Sequence, residues 1–317
     1  MYDNVKIAAV SEQVKANLLS GDSELIKNAG LAATEYFRTE IRENGIRRQI
    51  TPPQTVTKEN FDPSEETDLP SMIVEIEPNS MGAYMVPFET GPRGGVIHGR
   101  KARIEFNRIM TYKYSLDKIR LDTWKMPILD IFYDLLLKDI MDQEDEASFA
   151  VDNDIVGATP GAVTMDGVKR YVTAGPMSRK SLVHLKKGIL AAPGNLKPAK
   201  FVMNDLTHCD FGEFARDAIG GDMAQEMFIN GVTLTKVQGV DTIVTTKKDL
   251  VETNDVYIYA DPKYYGGFYT YKDVAMVTDE KDDIWLTFFA HECIAMSVVN
   301  AAGVAKASFT GSLVDWK

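Results

Sequence analysis

The sequence predicts a mixed α+β protein built from discontinuous modules. Three observations predict it. Apolar residues alternate with charged ones across "KARIEFNRIMTYKYSL", which indicates a long strand exposed on at least one side. Apolar residues recur at helical spacing from residue 128 onward, which indicates a long helix. From residue 198 short β runs crowd between helical stretches, as in folds whose helices and sheets form separate layers.

Taken in order, residues 23–44 place Leu25, Ile26, Ala29, Ala33, Phe37 and Ile41 at helical spacing, with Gly45 as the stop. "ITPPQTVTKENFDPSEETDLPS" carries four prolines and five acids, and reads as an extended connector. Residues 72–116 read as a two-stranded excursion with a glycine-rich tip near 91–99. A two-stranded ribbon is marginal alone, so it needs something to lie on. The strongest helix follows, with Pro127 suited to its first turn. Leu129, Phe132, Leu136 and Ile140 form its stripe, widened by Ile128, Ile131 and Leu135. Asp139 to Asp154 hold seven acids and no base, which reads as a charged helix end. "SRKSLVHLKKGIL" gives a second helix and "PAKFVMN" a short buried strand; "DFGEFARDAIGGDMAQEMFING" is helical with a Gly–Gly break. "VTLTKV", "DTIVTTK", "DVYIYADP" and "GFYTYKDVAMV" are strands. The apolar stretch from Ile284 suits strand and helix alike, with Trp285, Phe288 and Phe289 favouring a strand.

Composition narrows the function classes. The 317 residues carry 35 Lys+Arg against 46 Asp+Glu, a net charge of −11, which argues against a dedicated nucleic-acid binder. Cys209 and Cys293 are the only cysteines, so no disulfide framework is expected and a reducing compartment is the default. No secretory signal and no apolar run long enough for a membrane span is evident.

The chemical motifs are incomplete. "HECIA" starts like the zinc-protease motif H-E-x-x-H, but Ala295 stands where the second histidine belongs. A metal-dependent hydrolase using His291 and Glu292 is therefore the alternative from another class. Gly94 leads to Gly99, but Arg100–Lys101 replace the Lys–Ser/Thr of a phosphate loop. His208 and Cys209 are neighbours, which point apart on either regular element and do not make a nucleophilic dyad. Glu144, Asp145 and Glu146 lack the glycine-turn loop of a calcium site. No catalytic residue, metal or cofactor is expected.

The basic arm remains. Gly91 to Lys113 hold six bases and one acid, a net of +5 against −16 for the rest. An arm of one sign and a body of the other suit a head-to-tail contact between copies. Arg93, His98, Arg100, Lys101, Arg103 and Arg108 are the expected contact residues. Glu144, Asp145 and Glu146 are the candidate acidic counterpart.

This order of modules resembles the major capsid protein family of tailed bacteriophages, the Hong Kong 97-type fold also used by encapsulins. "MVPFETGPRGGVIHGRKARIEFNRIMTYKYSLDKI" looks like its extended ribbon, the E-loop. "PILDIFYDLLLKDIMDQEDEASFAVD" looks like its spine helix, and "PAKFVMNDLTHCDFGEFARDAIGG" like the start of its A-domain. "VYIYADPKYYGGFYTYKDVAMVTDE" resembles the strand pair that follows. The resemblance implies an N-terminal arm at 1–70, the ribbon at 71–118, and a P-domain with spine helix at 119–197. It implies an A-domain at 198–283 and a return to the P-domain at 284–317. It implies no catalysis, but self-assembly into hexamers and pentamers of an icosahedral shell, in which the E-loop of one subunit lies over its neighbour. That shell would enclose double-stranded DNA without sequence-specific binding. Portal, scaffolding and decoration proteins are the implied partners. The scaffold would be separate, because some 70 residues ahead of the ribbon are too few for a fused one. The implied location is the virion capsid, assembled in the host cytoplasm without a membrane. An encapsulin-type compartment is the alternative within the fold.

Overall fold

The computed structural model describes residues 45–62, 69–76, 98–123, 128–157, 171–174, 177–192, 196–213, 236–281 and 284–309, with scattered positions between 83 and 96. The helix expected over 23–44, Pro127, and most of the helix expected over 210–231 lie outside these residues.

Among the described residues the first elements are α1 (Ile46–Ile50), β1 (Pro53–Thr55) and β2 (Ser71–Ile76). Next come β3 (Arg100–Glu105), β4 (Asn107–Met110), β5 (Tyr114–Asp117) and α2 (Lys118–Thr123). Helix α3 (Ile128–Val156) is the longest described, at 29 residues. It is followed by β6 (Tyr171–Ala174), α4 (Arg179–Leu190), β7 (Pro198–Asn204) and α5 (Asp205–Cys209). Then come β8 (Lys236–Val237), β9 (Val240–Thr245), β10 (Asp255–Ala260) and α6 (Pro262–Tyr265). The chain closes with β11 (Gly266–Lys281), β12 (Trp285–Val298) and β13 (Val304–Phe309).

The strands of the described residues form three sheets. One runs β1-β11-β12-β4, with β5 also paired to β12. The second runs β6-β13-β10-β7-β9-β8, and the third is the ribbon β2-β3. All six side chains of β10 are buried, as befits a strand inside a sheet covered on both faces. The stretch from 285, ambiguous in sequence, is strand: β12 pairs with β11 along nearly its whole length. Of the strands expected in "VTLTKV" and "DTIVTTK", the described parts form a hairpin, β8 and β9, turned by Gln238 and Gly239, both at positive φ.

Helix α3 packs on the first sheet through Tyr133, Leu136, Leu137 and Ile140, against Val274, Met276, Leu286, Phe288 and Ala290. Ile131 and Leu135, expected to widen the buried stripe, face solvent instead. The stripe is widened on its other flank, by Tyr133 and Leu137. It then continues at helical spacing through Glu144, Ser148, Asp152 and Ile155, all buried. The expected charged helix end therefore buries three of its seven acids, Glu144, Asp145 and Asp152. Helix α4 covers the second sheet through Leu182, Leu185 and Ile189. Ser178 caps it, accepting from the Ser181 backbone N–H in a reciprocal capping box.

The sheets divide the chain differently from the expected segments. β11, expected with the 198–283 block, pairs with β12 instead of with β10. β13, expected in the return at 284–317, joins the second sheet between β6 and β10. α4, expected with the spine helix, lies on that second sheet. The two crossings between sheets run side by side: the N–H groups of Val299 and Asn300 both donate to the Tyr265 carbonyl, at 3.0 and 3.1 Å. At this point a Cβ on Gly266 would lie 2.1 Å from the Ser297 carbonyl oxygen. Gly266→Ala is expected to cost about 1–3 kcal/mol by forcing two backbones apart, measurable by chemical denaturation.

Candidate functional site

The ribbon is an antiparallel pair whose register runs from Ser71↔Glu105 to Ile76↔Arg100. Alternation gives it two unlike faces. Met72, Ile104 and the half-buried Val74, with Phe106 just beyond, pack on Val56, Cys293, Ala295, Tyr269 and Tyr271. Phe61 sits edge-on to both Phe106 and Tyr271, at 5.3 and 4.7 Å between centroids. The ribbon's root thus lies on its own subunit. At Phe106 the strand leaves the ribbon and joins β12 as β4.

The outer face of the ribbon carries Lys101 and Arg103, whereas Arg100 is in phase with Val74 and Ile104 on the other face. His98, Arg100, Lys101, Arg103 and Arg108 are all exposed, while Arg93 lies outside the described residues. Lys101 pairs across the ribbon with Glu75 at 3.0 Å, both ends in solvent. Arg103 Nε donates to Ser71 Oγ at 3.1 Å. Arg108 stands on β4 opposite Cys293. Toward the tip, Met85 and Phe88 are fully exposed. A cavity of about 1040 Å³ separates the ribbon's root from the start of β11, lined by Val74, Arg100, Pro262, Lys263 and Tyr269 among others.

The acids expected to face these bases behave otherwise. Glu144 and Asp145 are wholly buried and occupied within the subunit, so they are not available to a neighbour's arm. Their partners come from α1, which inserts two adjacent arginines beside α3. Arg48 donates three hydrogen bonds to Glu144, at 2.7 to 3.1 Å. It also donates to Glu292 on β12 at 2.9 Å and to Asp273 on β11 at 3.0 Å. The Arg47 backbone N–H donates to Asp145 at 2.9 Å, and Lys247 reaches the other oxygen of that carboxylate at 2.7 Å. The Arg47 guanidinium lies 3.6 Å from Asp152, which also accepts from the Tyr259 and Tyr265 hydroxyls. Burial pushes the Asp152 carboxyl upward, with Arg47 and the two hydroxyls opposing the shift. Burial also raises both tyrosines well above their ordinary range, which keeps them protonated donors. Among the three candidate acids Glu146 alone is exposed. Sequence reasoning missed Arg47 and Arg48. The available signal was indirect: acids at the buried-stripe positions 144 and 152 need cations.

His291 and Glu292 do not form a metal centre. Neighbours on a strand point to opposite faces. Glu292 faces α3 and is held by Arg48, whereas His291 faces the side where Arg108 and Lys272 lie. Burial, then those two positive charges, lowers the imidazole pKa below its usual range. His208 and Cys209 sit on the short helix α5, where the His208 ring packs against Phe211.

This arrangement of spine helix, two sheets and protruding ribbon matches known particles. The capsid of a native GTA particle superposes with a TM-score of 0.54 at 13% identity, covering 83% of this chain and 89% of that one. The mature capsid of bacteriophage PhiM1 gives 0.56 at 9% identity, covering 84% and 88%. The capsid of Cyanophage P-SCSP1u gives 0.55 at 11% identity, covering 84% and 89%. The chain has the fold of phage capsid subunits. No protein-family model and no curated protein matches the sequence. The capsid fold expected from the order of modules is therefore carried by geometry at identities too low for sequence matching.

Proposed function

We propose that this chain is a major capsid protein that assembles into the hexamers and pentamers of an icosahedral shell around double-stranded DNA. The observation that carries the proposal is the likeness to capsid subunits over more than four-fifths of both chains. The ribbon supports it: its tip exposes Met85 and Phe88 fully, and an apolar tip of that kind calls for a second copy to cover it. The charge supports it too, since a wall of net charge −11 does not adhere to the DNA it encloses. The role is structural, with the virion as its location and the host cytoplasm as the place of assembly. Portal, scaffolding and decoration proteins are the proposed partners.

Within the shell, Arg100 and Arg108 are the bases best suited to an intersubunit contact, because Lys101 and Arg103 have neighbours across the ribbon. Glu146 is the proposed acid. Electron microscopy of the expressed chain, alone and with its scaffold, should reveal closed shells. Monomers and small oligomers in both preparations would overturn the proposal, and shells filled with protein cargo would reassign it to a compartment. Reversing Arg100 and Arg108 to Glu should lower shell yield at least about tenfold, the loss of roughly 1.4 kcal/mol per contact, with subunit folding unchanged by circular dichroism.

A further inference from the structure

Arg48 is one cation facing three carboxylates, each from a different element. Glu144 comes from α3, Asp273 from β11 and Glu292 from β12. The side chains of Arg48, Glu144 and Glu292 are wholly buried, while Asp273 is partly open to solvent. A single guanidinium nitrogen, Nη2, donates to both glutamates, at 2.7 and 2.9 Å. That leaves Glu292 Oε1 buried without a hydrogen-bond partner among the described residues. Glu144 and Glu292 thus share one guanidinium nitrogen, so their carboxylates stand beside each other on a single cation. Two buried carboxylates so placed repel each other, and a proton on one of them relieves the repulsion. The next cation along does not relieve the excess, because Arg47 is taken up by Asp152 and the tyrosines. Cys293, next on β12, is a further titratable group within the field of Glu292.

We propose that this cage is a proton-loaded latch: a proton on Glu292 keeps α1 seated between α3 and the β11–β12 hairpin, and its loss as pH rises unseats α1 while the rest of the subunit stays folded. The element held is short: α1 is five residues long, and Arg47 and Arg48 are its charged anchors. The sign follows from the cage. Burial first, then Glu144, raises Glu292 well above the ordinary glutamate range, with Arg48 opposing. A folded-state value above the unfolded one contributes stability that is complete below the unfolded value and is lost as pH climbs through the folded one. The latch is therefore closed in acid and opens toward alkaline pH. It stands on the subunit's own geometry, whether or not the shell proposal holds.

Arg47 and Arg48 make the test direct, because trypsin cuts after arginine and both are buried while α1 is seated. The full chain would be digested briefly across a pH series, with rates normalised to a free peptide of residues 43–53. Cleavage after Arg47 or Arg48 should rise at least about tenfold between about pH 6 and pH 9, the factor that about 1.4 kcal/mol of lost proton linkage produces. Cleavage after the buried Lys306 should stay constant and so exclude global unfolding. Glu292→Gln, whose amide stands in for the protonated carboxyl, should flatten the rise. Glu144→Gln, which removes the repelling charge, should flatten it as well and serves if the first variant does not fold. A flat wild-type profile, an undiminished rise in both variants, or a parallel rise at Lys306 would overturn the latch.

Discussion

Arg48→Ala should destabilise the subunit by about 3–5 kcal/mol, because removing one partner of a buried charge cluster leaves the others uncompensated. Glu144 and Glu292 would then share a buried site with no cation between them. Burial opposes the charge of Arg48, yet the hydrogen bonds to Glu144 and the three carboxylates outweigh it and raise its pKa. The side chain also stacks its guanidinium over the Phe268 ring at 5.6 Å, a contact that alanine forfeits. Urea denaturation of unassembled subunits measures the loss. Arg48→Lys should recover only part of it, since one ammonium cannot reproduce five fixed donors aimed at three carboxylates. A variant as stable as the parent would mean that the cage contributes nothing net. That outcome is physically possible for buried ion pairs replaced as a whole, but not for one partner removed alone.

Phe288→Ala should cost a comparable amount, about 3–5 kcal/mol, from lost burial and the cavity left behind. Phe288 is fully buried at the centre of the layer between α3 and the first sheet. Tyr133 meets its ring edge-on, with centroids 6.4 Å apart. Leu136, Ile140, Val274 and Leu286 belong to the same buried cluster. Collapse into the space is limited, because α3 is a rigid 29-residue rod and β12 is held by strands on both sides. Denaturation of the variant checks the magnitude. Leu135→Ala, four residues from the predicted apolar position Ile131 and facing solvent, should change stability by only about 0.5 kcal/mol or less. The contrast between these variants separates the buried face of the helix from the face that periodicity alone suggests.

Much of this was legible because it depends on local pattern. The 3.6-residue recurrence that begins at Ile128 is enough to specify a long helix, and α3 begins there. Alternation at Ile104 and Phe106 was enough to place an exposed strand, but its transfer from β2 to β12 after Glu105 was not expected and came from the structure. The capsid-like order of modules was legible for the same reason, since each module is a local pattern. What misled was charge. Acids between Asp139 and Asp154 read as a solvated helix end, because isolated carboxylates are seldom buried. Four of them, at 144, 145, 152 and 154, follow the phase of the core stripe or lie next to it. Three of these are buried, and their cations lie about 100 residues away in sequence.

By itself the sequence determined the elements and their order: a ribbon rich in bases, a long helix and a block of short strands. Periodicity and turn chemistry act over a few residues, so they survive at identities of 13% or less to the matched capsids. The tertiary structure alone decided which sheet each strand joins, sending β11 and β13 to opposite sheets across Gly266 and Gly303. It alone decided that Arg47 and Arg48 belong inside and that Glu144 and Asp145 are their partners, not a neighbour's. The reason is that burying a charge is favourable only when opposite charges meet it in three dimensions, and no window of sequence contains both halves of that pairing.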